Sequence, residues 1–117
     1  MIRPEPILPR NFLQAALLRL LGNDPGYGYE LRNQLTTLGV AKGDFGQLYR
    51  TLRAMEKSGL VLSCWENSES GPSRRTYHVT DKGRAQLAAW VDGMMIGVRV
   101  MERFLTLTAD PGRAASA

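Results

Sequence analysis

The feature that most constrains how this chain folds is a change of hydrophobic period at Gly59. Before that glycine, Phe45, Leu48, Tyr49, Leu52 and Met55 recur at steps of three and four, the spacing of a buried helical face. After it, Leu60, Leu62 and Cys64 alternate with Val61, Ser63 and Trp65, the period of a strand running to Glu66. Alternation returns from Arg74 to Val79, with Tyr77 and Val79 on one face. The polar, Gly/Pro-containing segment Asn67 to Ser73 then reads as a long hairpin tip. Beyond a Thr80-Asp81 cap the period is helical again. Leu87, Val91, Met94, Val98, Met101 and Leu105 alternate steps of four and three, the seam of a coiled coil. Trp90, Gly97 and Phe104 flank that seam at seven-residue intervals, and the interior glycines Gly93 and Gly97 point to close helix approach or a local bend.

Upstream, two further helices are expected. Pro4, Pro6 and Pro9 each lack a backbone N–H and fix φ, so the start of the chain reads as an extended arm. Asn11 is placed to cap a largely buried helix through Phe12, Ala15, Ala16 and Leu20, which Gly22 should end. Asn23-Asp24-Pro25-Gly26 is turn chemistry, and Leu31, Leu35 and Leu38 stripe a second helix that Gly39 closes. Asp44 followed by Gln47 resembles a capping box, starting a third helix from Phe45 to about Ser58.

With 117 residues the chain builds one core, not two. Cys64 is the only cysteine and His78 the only histidine, which excludes a disulfide framework and a cysteine-built zinc centre and suits a reducing cytoplasm. The apolar run Ala15 to Leu21 is broken by Arg19 and reads as neither signal peptide nor membrane span, so no membrane partner is expected. Cys64 and His78 can face one another across the hairpin, but a nucleophilic pair also needs an orienting group and a pocket. No Gly-rich phosphate loop, paired-carboxylate signature or metal-ligand spacing is present, so no enzyme, cofactor or metal is indicated.

Three helices, a two-stranded hairpin and a long helix are the order of a winged helix-turn-helix. In that order stand Gly28-Tyr29-Glu30-Leu31, Leu48-Tyr49-Arg50-Thr51-Leu52-Arg53, Glu56-Lys57-Ser58-Gly59-Leu60-Val61, and Gly71-Pro72-Ser73-Arg74-Arg75-Thr76-Tyr77 followed by Thr80-Asp81-Lys82-Gly83. Through these, over about residues 11 to 105, the chain resembles the PadR family of bacterial transcriptional regulators. Pro9-Arg10-Asn11-Phe12-Leu13, Trp65, Trp90 and Phe104-Leu105 resemble the short polyhydroxybutyrate-responsive repressors within it. Gly93 and Gly97 depart from family habit. The resemblance implies a mostly α protein with a small β-hairpin. Residues 1–10 would be the arm, 11–79 the DNA-binding unit, 80–107 a dimerisation helix and 108–117 a disordered tail.

On this plan Gln47, Arg50, Arg53 and Lys57 project from the third helix opposite its apolar stripe. Arg can bond a guanine edge in two places and Lys neutralises phosphate, so the face suits a major groove; a solvated helix face has the same composition. Arg74 and Arg75, beside Gly71-Pro72, suit phosphate contact by the wing, or simply charge protection of an edge strand. Lys42 precedes the third helix and is a further phosphate candidate. Tyr49 lies on the apolar stripe and suits either core packing or a hydroxyl aimed at phosphate, and Tyr29 suits the core.

The seam residues Leu87, Val91, Met94, Val98, Met101 and Leu105 can pack on their own domain or on a second subunit. A two-fold dimer on a roughly palindromic double-stranded DNA operator fits better, because one head reads few base pairs. Trp90, Met94 and Met95 suit either core packing or a small apolar effector, and the narrower resemblance adds a polyester polymer as a candidate. The expected function is a transcriptional regulator, a repressor released by such an effector. The alternative is a dimeric interaction module that keeps the fold without specific DNA binding, which would have no use for a basic third helix.

Overall fold

In a computed structural model the described residues are 4–40, 45–68 and 71–107. Helices α1 (Phe12–Asn23), α2 (Gly28–Leu38) and α3 (Phe45–Lys57) precede an antiparallel hairpin of β1 (Val61–Ser68) and β2 (Gly71–Val79), and α4 (Asp81–Thr106) follows. The fold class is therefore the expected winged helix-turn-helix with a long terminal helix. Lys42 and the Asp44 capping box lie outside the described residues, as does the tail expected over 108–117.

The core is where α1, α2, α3 and the hairpin base converge. Leu17, Leu18, Leu31, Leu52, Val61 and Tyr77 are fully buried there, each side chain contributing about 1.5–3 kcal/mol by leaving water. Leu48 and Met55 complete the inner face of α3, as its spacing requires. On the hairpin the register pairs Val61 with Val79 and Ser63 with Tyr77, so the odd-numbered face of β1 is the inner one. Leu62 and Cys64 point outward. A bridge from Gly26 to Tyr77 lays the α1–α2 turn along the free edge of β2.

One hydroxyl ties the long helix to this head. Thr80 caps α4 by accepting from the Gly83 amide at 3.0 Å, and it donates to the Gly59 carbonyl at 2.6 Å. Beside it, the Lys82 ammonium donates to the Ser58 carbonyl at 2.8 Å, satisfying an orphan acceptor at the end of α3. Gly83 is buried against the Leu60 carbonyl, in space that a Cβ would overlap. From this anchor α4 runs as one unbroken helix through Gly93 and Gly97.

The structure corrects several local expectations. Asn11 holds the N-cap position of α1, but its side chain makes no capping bond; the Phe12 amide donates to the Pro9 carbonyl instead, so the proline turn starts the helix. Gly22 does not end α1. It keeps helical φ, and the helix continues to Asn23; among the described residues only Gly39 and Gly59 have positive φ, at the ends of α2 and α3. Leu38 is exposed because the stripe of α2 runs off the head at its last residue. Among the described residues, strand pairing reaches further along the hairpin than expected. Pairing continues to Ser68 and Gly71 past a register shift after Glu66, supported by the Ser73 hydroxyl donating across the strands to Asn67 Oδ1 at 2.9 Å.

Candidate nucleic-acid interface

The α3 residues Gln47, Arg50, Arg53 and Lys57 are all exposed, on the side of the helix opposite buried Leu48, Leu52 and Met55. The burial of one stripe therefore orients the other, and three cations share the outward face with one amide. Tyr49 is half-buried and belongs to neither set. Its phenol ring packs against the first turn of α2, filling the space that a Cβ on Gly28 would need. A glycine at 28 thus lets α2 and α3 approach, which sets the helix-turn-helix angle.

The wing does not present its two arginines side by side. Successive residues of a strand face opposite ways, and β2 pairs Arg74 with Glu66 and Arg75 with Trp65. Arg74 lies with its guanidinium 4.4 Å from the centre of the Tyr27 ring. Arg75 turns back towards α3, donating from Nε to the Ser63 hydroxyl at 2.9 Å, with Nη2 3.7 Å from Glu56 Oε1. Glu56 Oε2 in turn accepts from the Ser63 amide at 3.0 Å and from its hydroxyl at 2.8 Å. Glu56, Ser63 and Arg75 thus brace the last turn of α3 against the wing. The sequence carried no signal for this brace beyond the presence of an acid on an otherwise basic face.

Tyr77 lies beneath the brace. Burial pushes its phenol up from the usual tyrosine value; Arg75 opposes that, Glu56 and Tyr49 reinforce it, and Arg53 opposes it. The contacts of Glu56 with Ser63 and Arg75 are what join α3 to the wing. Trp65 is an exposed strand residue of the wing, with the Arg75 guanidinium 5.9 Å from its ring centre.

Half-buried Trp90 packs on the head core and lines a cleft of about 510 Å³ with Gln14, Gln47, Arg50, Lys82 and Gln86. The structure does not gather the three expected effector residues there. Neither Met94 nor Met95 lines the cleft, and Met95 is exposed because it falls one step past the inward face of α4. Along the seam, Leu87, Val91 and Met94 are half-buried, while Val98, Met101 and Leu105 are exposed. No described helix is long and apolar enough to cross a membrane.

Head, braced wing and capped long helix define the class of winged helix-turn-helix proteins. Residues 17–89 match the model of the transcriptional regulator PadR-like family, and the chain belongs to that family, one of transcriptional regulators and not of enzymes. A PadR-like regulator from Bacillus cereus superposes with a TM-score of 0.76 at 28% identity, covering 85% of this chain and 96% of that one. A PadR family regulator from Eggerthella lenta gives 0.74 at 28% identity, over 85% and 86%. Bacillus subtilis PadR, solved in complex with operator DNA, shares the fold with a TM-score of 0.64 at 23% identity, over 72% of this chain and 48% of that one. A curated Mycobacterium tuberculosis protein described as a probable transcriptional regulator is 33% identical over 81 residues; this is 68% of the chain but only 43% of that relative's length.

Proposed function

We propose that the chain is a sequence-specific double-stranded-DNA-binding regulator that acts in the cytoplasm as a homodimer. One observation carries the reading: α3 displays Gln47, Arg50, Arg53 and Lys57 outward from a buried stripe, and Glu56 and Ser63 brace it to Arg75 of the wing. In this arrangement Arg50 and Arg53 read base edges while Lys57, Arg74 and Arg75 hold phosphate, and Lys42, which precedes α3 in the sequence, joins them. Tyr49 sets the helix angle. The family, and the operator complex of Bacillus subtilis PadR, support DNA as the partner.

In the proposed dimer residues 11–79 form the reading unit and 80–107 the pairing helix. Val98, Met101 and Leu105, at 48%, 46% and 76% exposure, make up an apolar strip that a second copy would cover. Two heads on a two-fold axis then meet a roughly palindromic operator. The regulator acts as a repressor released by an apolar effector, a small aromatic compound or a polyester, bound beside Trp90. The cleft at Trp90 also contains Gln47 and Arg50, so an occupant would disturb the reading face directly, within the ~1–3 kcal/mol typical of allosteric coupling.

The test is selection of DNA from a random duplex pool, followed by salt titration of the enriched sequence. A palindrome bound by one dimer, with affinity falling steeply with salt, is expected. In the double variant Arg50→Ala/Arg53→Ala, operator retention should vanish, each arginine contributing about 1–3 kcal/mol, while the melting temperature stays unchanged. Binding that survives in the double variant refutes this assignment of the face.

A further inference from the structure

The even-numbered face of the hairpin carries a cluster that DNA binding does not use. Cys64 and Glu66 stand two residues apart on β1 and so share a face. His78 of β2 pairs with Leu62 and Cys64 pairs with Thr76, which makes His78 the diagonal neighbour of Cys64 on that same face. The Cys64 Sγ and His78 Nε2 atoms are 3.4 Å apart. One ligand atom from each of Cys64, Glu66 and His78 lies within 4.8 Å of the other two. Arg74, the cross-strand partner of Glu66, has its guanidinium over the Tyr27 ring.

We propose that Cys64, Glu66 and His78 bind a single divalent transition-metal ion of the zinc class on the outer face of the wing. Zinc bonds to sulfur at about 2.3 Å and to imidazole nitrogen at about 2.0 Å, so a tetrahedral ion separates those two atoms by about 3.5 Å. The Cys64–His78 separation already matches this. Glu66 closes the third corner by moving its carboxylate inward roughly 1 Å, within reach of a side chain with three rotatable bonds. Thiolate with imidazole selects a borderline or soft ion and disfavours Mg²⁺ and Ca²⁺, which take oxygen ligands. Binding converts the Cys64 thiol to thiolate and releases its proton to solvent. Three protein ligands leave a fourth position for water, the arrangement of an open, exchangeable site instead of a closed structural one. Cys64 and Glu66 are exposed and His78 half-buried, so the ion can enter from solvent.

The inference is independent of DNA recognition, and its test contains no DNA. Full-length chain without a histidine tag, fully reduced, is titrated with Co(II). The expected result is a thiolate-to-cobalt charge-transfer band that saturates at one ion per chain and is bleached by Zn(II). Cys64→Ser should abolish the band. Glu66→Gln and His78→Ala should keep sulfur ligation but weaken Co(II) binding roughly tenfold or more. Zn(II) should also raise the melting temperature of the native chain and not that of Cys64→Ser, a check that each variant is folded. Absence of the band from the native chain overturns the proposal. So does native affinity in either the serine variant or the Glu66 and His78 variants, the latter meaning a cysteine that binds metal alone.

Discussion

The two ends of this molecule use apolar residues in opposite ways. In the head Leu17, Leu18 and Leu52 have no exposed surface, whereas in the distal half of α4 Phe104 and Leu105 are 67% and 76% exposed. Both segments carry helical apolar spacing, and both are well-formed helices. The difference lies in what each stripe meets. The head stripes meet one another across α1, α2, α3 and the hairpin base, so the head closes its own core. Beyond Met94 the seam residues of α4, Val98, Met101 and Leu105, are exposed among the described residues. The head encloses its apolar residues, and the end of α4 leaves its own exposed.

The largest expected effect tests the first half of that contrast. Leu52→Ala removes a side chain fully enclosed by the core, and should cost about 2–5 kcal/mol depending on how far the cavity collapses. Chemical denaturation would read this as a lowered midpoint with an unchanged slope. A loss below about 1 kcal/mol would mean that the head is far looser than its burial implies.

Much of this contrast was legible in the sequence, and the limits of legibility have physical causes. The three-to-four spacing of Leu48, Leu52 and Met55 names the inner face of α3, because helix geometry alone relates those positions. The resembling motifs turn out to form two contacting pairs. Gly28 receives the Tyr49 ring, and Thr80, Lys82 and Gly83 grip Ser58, Gly59 and Leu60. What was not legible depends on pairing between distant residues. The brace of Glu56, Ser63 and Arg75 requires the end of α3 to meet the wing at one register, and Glu66 joins the Cys64–His78 pair, which strand alternation did suggest, only through the register of the hairpin. Local rules also misplaced the ends of elements. A glycine at 22 and an asparagine at 11 suggest a stop and a cap, yet the Pro9 turn and the packing of α1 decide both.

A smaller effect is expected where the second half of the contrast is tested. Met101→Asp/Leu105→Asp places charge in the exposed strip without touching the head. If a second copy covers that strip, the dimer dissociation constant should rise about a hundredfold, equivalent to ~2.7 kcal/mol. Sedimentation at graded concentration would show it. The unfolding free energy at high dilution, which reports the head, should stay within about 0.5 kcal/mol of native. Unchanged assembly in this variant would mean that the strip is not where copies meet.

The smallest effect sharpens the comparison within α4 itself. A helical glycine costs about 1 kcal/mol against alanine, and at Gly93 and Gly97 a Cβ meets nothing within 4 Å inside the chain. Gly93 lies away from the seam, so Gly93→Ala should simply add ~1 kcal/mol to stability. Gly97 flanks the seam in the column that Trp90 and Phe104 occupy one heptad to either side. With bulky rings above and below it, a partner helix cannot close onto Gly97 without striking them. Gly97→Ala should therefore also stabilise by about 1 kcal/mol, leaving dimer affinity unchanged. Urea denaturation of both variants at several protein concentrations separates the two contributions. If Gly97→Ala weakened the dimer while Gly93→Ala did not, helices would be shown to meet backbone to backbone at Gly97, and the rings at 90 and 104 would have to turn away from the partner.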